Sequence, residues 1–197
     1  MLKKEIIWRE ILESAIHKKQ YRFTQKDIAK KLSISVSTVF NALLIPRKQG
    51  AITVSGRDFS LIDIEKLLYI WATQRNLAHE ILYQTAVPMS AKEIEGSVPS
   101  GIIFGGCSAY AYTHKSAPAE YDTIYVYASA SELLELKKRF PKQSGKENIF
   151  VLKKDPLLER YGNGTTPDTQ TFADLWNMKE WYAKDFLLAL KNRIIPS

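Results

Sequence analysis

Two glycines followed by two acids form the segment with the clearest capacity for chemistry. Gly105 and Gly106 follow the apolar residues 102–104. After 13 intervening residues come Glu120 and then Asp122, before another apolar run. Glycine lets backbone N–H groups approach a phosphate at the start of a helix. Two carboxylates at alternate positions of a strand point to the same side and can bind Mg²⁺. Such a site would support metal-assisted transfer of a phosphate group.

A second group of polar residues suits nucleic acid rather than catalysis. Short hydroxyl and amide side chains at the start of a helix can contact phosphates and base edges in the major groove of DNA. The candidates for this role are Ser35, Ser37, Thr38 and Asn41. Basic residues lie near them in the sequence: we expect Arg57 in the minor groove, and Arg22, Arg47 and Lys48 on phosphates.

The positive charge is concentrated in the same part of the chain. The protein has 28 Lys and Arg against 21 Asp and Glu, a net charge of +7. Residues 1–76 contain 14 of the basic residues and only seven acids, whereas residues 77–197 have no net charge. The asymmetry indicates that the first part meets a polyanion, although a basic surface that is merely solvated has the same composition.

Three helices are predicted to position the polar residues of the first part. Apolar residues recur with helical spacing over 4–19, and Thr24 is a candidate N-cap for a short helix over 27–32. A third helix opens at Ser35 and runs through Leu44, with Pro46 kinking its last turn and Gly50 ending it. Two short helices joined by a tight turn are typical of a helix-turn-helix.

Two alternating segments then predict a β-hairpin, over 51–54 and 58–62, around a turn with Gly56. A hairpin directly after the third helix resembles the wing of a winged helix-turn-helix domain. That resemblance implies binding of duplex DNA, as a homodimer on an inverted repeat. A winged helix used for protein contacts is the alternative. The helix expected over 63–76 would pair two subunits or pack the domain on its neighbour.

Strands and helices alternate in the second part, which predicts a small α/β domain. We expect strands over 81–87, 102–104, 121–127 and 149–152, and helices over 91–95, 132–139, 169–177 and 179–193, with Ser131 capping the helix over 132–139. Tyr121, Tyr125 and Tyr127 would alternate on one face of a strand. That face is either covered by helices or exposed as a platform on which bases stack. Trp181 is expected in the core with Phe186 and Leu190.

The strand, Gly-Gly turn, helix and acid-bearing strand resemble the nucleotidyltransferase fold. In that family the first acid is usually Asp and a third acid stands on a later strand. This sequence has Glu120 instead, and no acid until Asp155, past the strand over 149–152. The alternative is that Gly105 and Gly106 serve close packing and that Asp122 is a surface acid.

A winged helix followed by such a degenerate domain is similar to the AbiEi-type antitoxins of type IV toxin–antitoxin systems. Residues 105–110 and 171–176 carry this similarity. It implies a first domain that binds the promoter, a second domain that supports antitoxicity, and a cognate toxin as a further partner.

Composition excludes several other classes. The single cysteine, Cys107, allows no intramolecular disulfide, and the three histidines are far apart, so we expect no structural zinc site. Charges interrupt the N-terminal residues, unlike a signal peptide, and the uncharged run over 96–114 is rich in glycine and polar residues. We expect a cytoplasmic protein that binds no membrane.

The sequence thus predicts an α+β protein: a winged helix-turn-helix over 1–76 and a small nucleotidyltransferase-like α/β domain over 77–197. The expected function is that of a sequence-specific transcriptional regulator without a cofactor. The alternatives are a nucleotidyltransferase that uses Gly105, Gly106, Glu120 and Asp122 with Mg²⁺, and a protein-interaction adaptor.

Overall fold

Residue contacts divide the chain into two units, each with its own sheet. The computed structural model describes residues 1–195. The first unit comprises Met1–Arg75 with the residues from Asn192 onward, and the second comprises Asn76–Lys191. The fold class is mixed α+β with two small sheets, which confirms the sequence prediction at this coarse level.

The first unit alternates helices with short strands. Its elements are α1 (Lys3–Lys18), β1 (Arg22–Thr24), α2 (Gln25–Leu32), α3 (Val36–Lys48), β2 (Ile52–Ser55), β3 (Asp58–Leu61) and α4 (Ile64–Gln74). The three strands form one antiparallel sheet in the order β1-β3-β2. Strand β1 is absent from the sequence prediction. Between β2 and β3 the chain turns at Gly56, whose φ of 60° favours glycine.

Helix α1 provides the centre of the first unit's core. Ile7, Ile11 and Leu12 are fully buried, as their helical spacing predicts, and Trp8 is fully buried as well. The indole Nε1 of Trp8 donates a hydrogen bond of 2.8 Å to the carbonyl oxygen of Ala42 in α3. This contact ties the middle of α3 to α1.

The Trp8 contact also explains how α3 continues past Pro46. Helix α3 runs to Lys48 and so includes Pro46, as predicted. Proline has no backbone N–H, so Pro46 cannot donate to the carbonyl of Ala42, its normal partner one turn earlier. The indole of Trp8 supplies the missing donor. A buried carbonyl inside α3 is therefore satisfied by a distant side chain.

Side-chain caps fix the ends of α2 and α3, as predicted. The Thr24 hydroxyl accepts from the backbone N–H of Asp27, and the Ser35 hydroxyl accepts from that of Thr38. Ser33, with φ of 54°, ends α2 in the left-handed region. Among the described residues no single helix is long and apolar enough to cross a membrane. Helices α2 and α3 reach that length only together, and the chain bends by 119° between them.

The second unit contains a four-stranded mixed sheet. Its elements are β4 (Ile81–Thr85), α5 (Ala91–Ser97), β5 (Ile103–Gly105), α6 (Gly106–His114), β6 (Ile124–Ala128), α7 (Ala130–Arg139), β7 (Ile149–Lys153), α8 (Asp168–Asn177) and α9 (Ala183–Ile194), with short 3-10 turns at Leu77–Glu80 and Leu158–Arg160. The last residues of α9, 192–194, belong to the first unit. The strand order is β4-β7-β6-β5. Strands β6 and β7 are parallel and joined through α7, and the other pairs are antiparallel.

Strand β6 is buried on both faces. Ile124, Val126 and Ala128 belong to one apolar cluster, and Tyr125 and Tyr127 belong to another on the opposite face. The two tyrosines are therefore core residues, and the alternative of an exposed stacking platform for bases is wrong.

Three local predictions for the second unit are wrong. Strand β6 begins at Ile124 rather than at residue 121. Ser129, not Ser131, caps α7, because its hydroxyl and backbone form a reciprocal capping box with Glu132. Trp181 precedes α9 and is 78% exposed, so it is not a core residue, whereas Phe186 and Leu190 are fully buried as expected.

Candidate nucleic-acid interface

The hydroxyl groups predicted to read bases form one cluster at the start of α3. The Ser35 Oγ lies 3.0 Å from the Ser37 Oγ and 2.8 Å from the Thr38 Oγ1, and it also accepts from the Thr38 backbone N–H at 3.2 Å. Ser35 and Ser37 are exposed and Thr38 is half-buried. Each hydroxyl has more than one donor or acceptor site, so the cluster can still bond to a ligand.

Asn41 lies on the exposed side of α3, one helical turn after Ser37. Its amide makes no hydrogen bond within the part of the chain that the structure describes. A primary amide offers both a donor and an acceptor, which is the pattern that the major-groove edge of adenine requires. Of the four predicted groups, Asn41 is therefore the one most available for base contacts.

The exposed side of α3 also includes apolar residues that the sequence prediction missed. Val36, Phe40 and Leu44 are each 47% exposed, while Val39, Ala42 and Leu43 are buried. The signal was in the sequence, because residues four apart lie on one stripe of a helix. Because Val39 and Ala42 lie on the core side of α3, the stripe of Val36, Phe40 and Leu44 lies on the exposed side.

Three of the predicted basic residues are free of internal partners. Arg47 and Lys48 are exposed in the last turn of α3, and Arg57 is exposed in the turn between β2 and β3. Within residues 1–195 none of these three side chains forms a hydrogen bond or an ion pair. Their charges are available to an external anion.

Arg22 differs from the other predicted phosphate contacts. Its Nε and one terminal nitrogen donate to the Asp58 Oδ2 at 2.8 and 2.5 Å, which joins β1 to the neighbouring strand β3. Part of its hydrogen-bonding capacity is thus used inside the unit.

Helix α2 supplies two further cations that the sequence prediction did not assign. Lys26 and Lys30 are exposed, and neither makes an ion pair among the described residues. Lys31, by contrast, is paired with the buried carboxylate of Glu10. The five unpaired cations named here are therefore on α2, on the last turn of α3 and on the β2–β3 turn.

Gly105 and Gly106 of the second unit lie where side chains pack closely. A Cβ on Gly105 would come within 2.9 Å of the Tyr127 ring, and one on Gly106 within 2.8 Å of the Met178 sulfur. Gly106 also has φ of 54°, which a residue with a side chain rarely adopts. Close packing thus accounts for both glycines without a bound phosphate.

The two acids do not alternate on a strand, because both precede β6. Glu120 is exposed. The Asp122 Oδ1 accepts from the Tyr182 hydroxyl at 2.8 Å and from the Thr123 hydroxyl at 3.0 Å, and Oδ2 accepts from Lys146 at 2.9 Å. The hydrogen bond from Lys146, followed by that from Tyr182, lowers the pKa of Asp122 to about 2.

No group of three or more His, Cys, Asp or Glu side chains is arranged to hold a metal ion in the described part of the chain. For Asp122 to bind Mg²⁺, it would have to exchange its bonds to Lys146 and Tyr182 for the metal.

A surface cavity of about 830 Å³ lies beside Glu120 in the second unit. Tyr112, Tyr121 and Glu95 contribute to its lining. The Tyr121 hydroxyl donates to a Glu95 carboxylate oxygen at 2.8 Å, and burial together with this bond raises the tyrosine pKa. The sequence prediction did not anticipate this cavity.

Comparisons of the chain with models of known protein families, with curated proteins and with solved structures find no match.

Proposed function

We propose that this protein is a sequence-specific DNA-binding transcriptional regulator whose first unit is a winged helix-turn-helix domain. The supporting observation is the arrangement of that unit: α1, β1, α2, α3 and a β2–β3 hairpin in this order, with 119° between α2 and α3. Helices of a helix-turn-helix cross at about 90–120°. In this fold the second helix of the pair, here α3, enters the major groove.

The distribution of free groups supports the same role. Asn41 lies on the exposed side of α3, with unpaired Arg47 and Lys48 at the helix end and Arg57 in the hairpin turn. Neutralising phosphates supplies sequence-independent affinity, while side chains in the groove supply specificity. This chain offers both kinds of group on one unit.

The resemblance to AbiEi-type antitoxins leads to a more specific proposal. The protein would bind the promoter of its own operon as a homodimer, and its second unit would oppose a cognate toxin. The Gly-Gly segment and the late segment over 171–176 carry this part of the proposal.

The nucleotidyltransferase alternative has weaker structural support. Tyr127 and Met178 occupy the space beside Gly105 and Gly106, and Asp122 is engaged by neighbouring side chains. Mg²⁺-dependent binding of a nucleoside triphosphate to the full chain would favour this alternative over the regulator.

The test is binding of the full chain to duplex DNA from upstream of its own gene, in a gel shift with a salt titration. Asn41→Ala should cost about 1–3 kcal/mol on the specific site and little on random DNA. Lys48→Ala should weaken all sequences alike and reduce the salt slope by about 1.

Lys138→Ala is the matched control, because Lys138 is an exposed lysine of the second unit that forms no ion pair within the described residues. It removes the same charge and should leave binding unchanged. The proposal would be rejected if the protein bound all DNA sequences with equal affinity. It would also be rejected if Lys138→Ala and Lys48→Ala weakened binding to the same extent.

A further inference from the structure

The exposed side of α3 combines polar and apolar groups in a regular order. Val36, Phe40 and Leu44 form a row with a spacing of four residues, and Ser37 and Asn41 follow the first two of them in the sequence. Residues three apart are also neighbours on a helix surface, so Ser37 lies beside Phe40 and Asn41 beside Leu44, and the two rows adjoin. A ligand of this face must therefore offer apolar and hydrogen-bonding groups next to each other.

The major-groove edge of an A·T base pair has this combination. Thymine carries the C5-methyl group, the apolar feature of the groove, while adenine offers an acceptor at N7 and a donor at N6. Asn pairs with the adenine edge through both groups of its amide, and phenylalanine contacts the thymine methyl. Asn41 and Phe40 are both exposed on α3, and their side chains suit the two different bases of an A·T pair.

The charge near this face identifies the ligand as a polyanion rather than an apolar protein surface. Arg47 and Lys48 follow on the same helix, and neither side chain has a partner among the described residues. An apolar protein interface would leave two unpaired charges close to its core, which is costly unless the partner supplies acids. A DNA backbone supplies phosphates at regular intervals.

We propose that Phe40, supported by Val36, reads thymine methyl groups, so that the specific DNA site has A·T pairs opposite the N-terminal half of α3. The inference rests on the proposed DNA-binding function. Phe40 is assigned the main contact because it lies within the first two turns of α3, the part of a recognition helix that contacts base edges. Its side chain is half-exposed and available without rearrangement.

The experiment begins with selection of bound duplexes from a random-sequence library by the full chain. In the enriched sequence, each thymine is then replaced singly by deoxyuridine, which removes only the methyl group and keeps base pairing. Loss of one buried methyl-sized contact predicts about a fourfold weaker affinity at the thymines that face α3. Thymines outside that region should tolerate the replacement.

Phe40→Ala supplies the second arm of the test. It should weaken binding to the thymine duplex by a similar or larger factor and bind the thymine and deoxyuridine duplexes equally. Asn41→Ala should weaken binding but keep the sensitivity to the methyl group. Leu134→Ala is the matched control, because Leu134 is an exposed apolar residue of the second unit, 62% exposed, and the change should alter neither affinity nor methyl sensitivity.

The outcomes separate this inference from the function on which it rests. If no sequence is enriched, the DNA-binding function itself fails, and the inference with it. If a sequence is enriched but deoxyuridine has no effect at any position, the regulator stands and the methyl contact is wrong. If Phe40→Ala weakens both duplexes by the same factor and leaves the methyl effect intact, Phe40 has only a structural role. If it abolishes self-association but not DNA binding, the face is a contact between copies.

Discussion

Replacing Trp8 by Phe should destabilise the protein chiefly by leaving a carbonyl inside α3 without a donor. The Ala42 oxygen accepts the Trp8 indole at 2.8 Å and cannot be bonded by Pro46, which has no N–H. A buried acceptor without a partner costs about 1–3 kcal/mol. The smaller ring also leaves a cavity, so we expect the free energy of unfolding to fall by about 2–4 kcal/mol in total.

A double-mutant cycle separates the hydrogen bond from the cavity. In a Pro46→Ala background the new backbone N–H can bond to the Ala42 carbonyl, so Trp8→Phe should cost about 1 kcal/mol less there than in the parent. The cavity is the same in both backgrounds and cancels. Urea unfolding of the four proteins, followed by far-ultraviolet circular dichroism, measures the difference. Equal costs of Trp8→Phe in both backgrounds would show that the indole does not replace the missing helical donor.

Two further predictions concern charged groups. Arg57→Ala should weaken DNA binding several-fold and lower the salt slope by about 1. Arg22→Ala should have a smaller effect, because Asp58 already binds its guanidinium. Salt titrations compare the two variants, and an equal loss of DNA affinity in both would contradict the distinction. The pKa of Asp122 is lowered from 3.8 to about 2. Its ionised carboxylate therefore stabilises the folded chain at pH values above the ordinary pKa, and this contribution is lost as the pH falls through about 2. Asp122→Asn should lower the urea midpoint at pH 5 and have progressively less effect toward pH 2, and a pH-independent difference would contradict this assignment.

Local hydrogen-bonding signals explain which parts of the fold could be predicted from the sequence. Thr24 and Ser35 cap their helices as expected, because the cap needs only a hydroxyl and the backbone N–H three residues later. The capping box of Ser129 with Glu132 was equally readable, yet the prediction placed the cap at Ser131. The error came from the choice between two serines rather than from a missing signal.

Contacts between distant residues explain the features that the sequence did not predict. The hydrogen bond that compensates for the proline in α3 comes from Trp8, more than 30 residues earlier. Strand β1 has three residues and exists through its pairing with β3, too short a segment for a periodic pattern. Trp181 lies before the first turn of α9, so the helical spacing that places Phe186 and Leu190 in the core does not extend to it.

At the candidate sites too, the sequence shows the residue types but not the contacts that surround them in the fold. Gly105, Gly106 and Asp122 have the types that phosphate chemistry needs, but packing and hydrogen bonds within the second unit already account for them. Asn41 and Phe40 have less distinctive types, yet they are exposed, and the Asn41 amide is unbonded within the described residues. A binding site requires groups whose capacity the fold leaves unused, since a buried and satisfied group must first break its own bonds. By this criterion α3 offers more unused binding capacity than the Gly-Gly segment does.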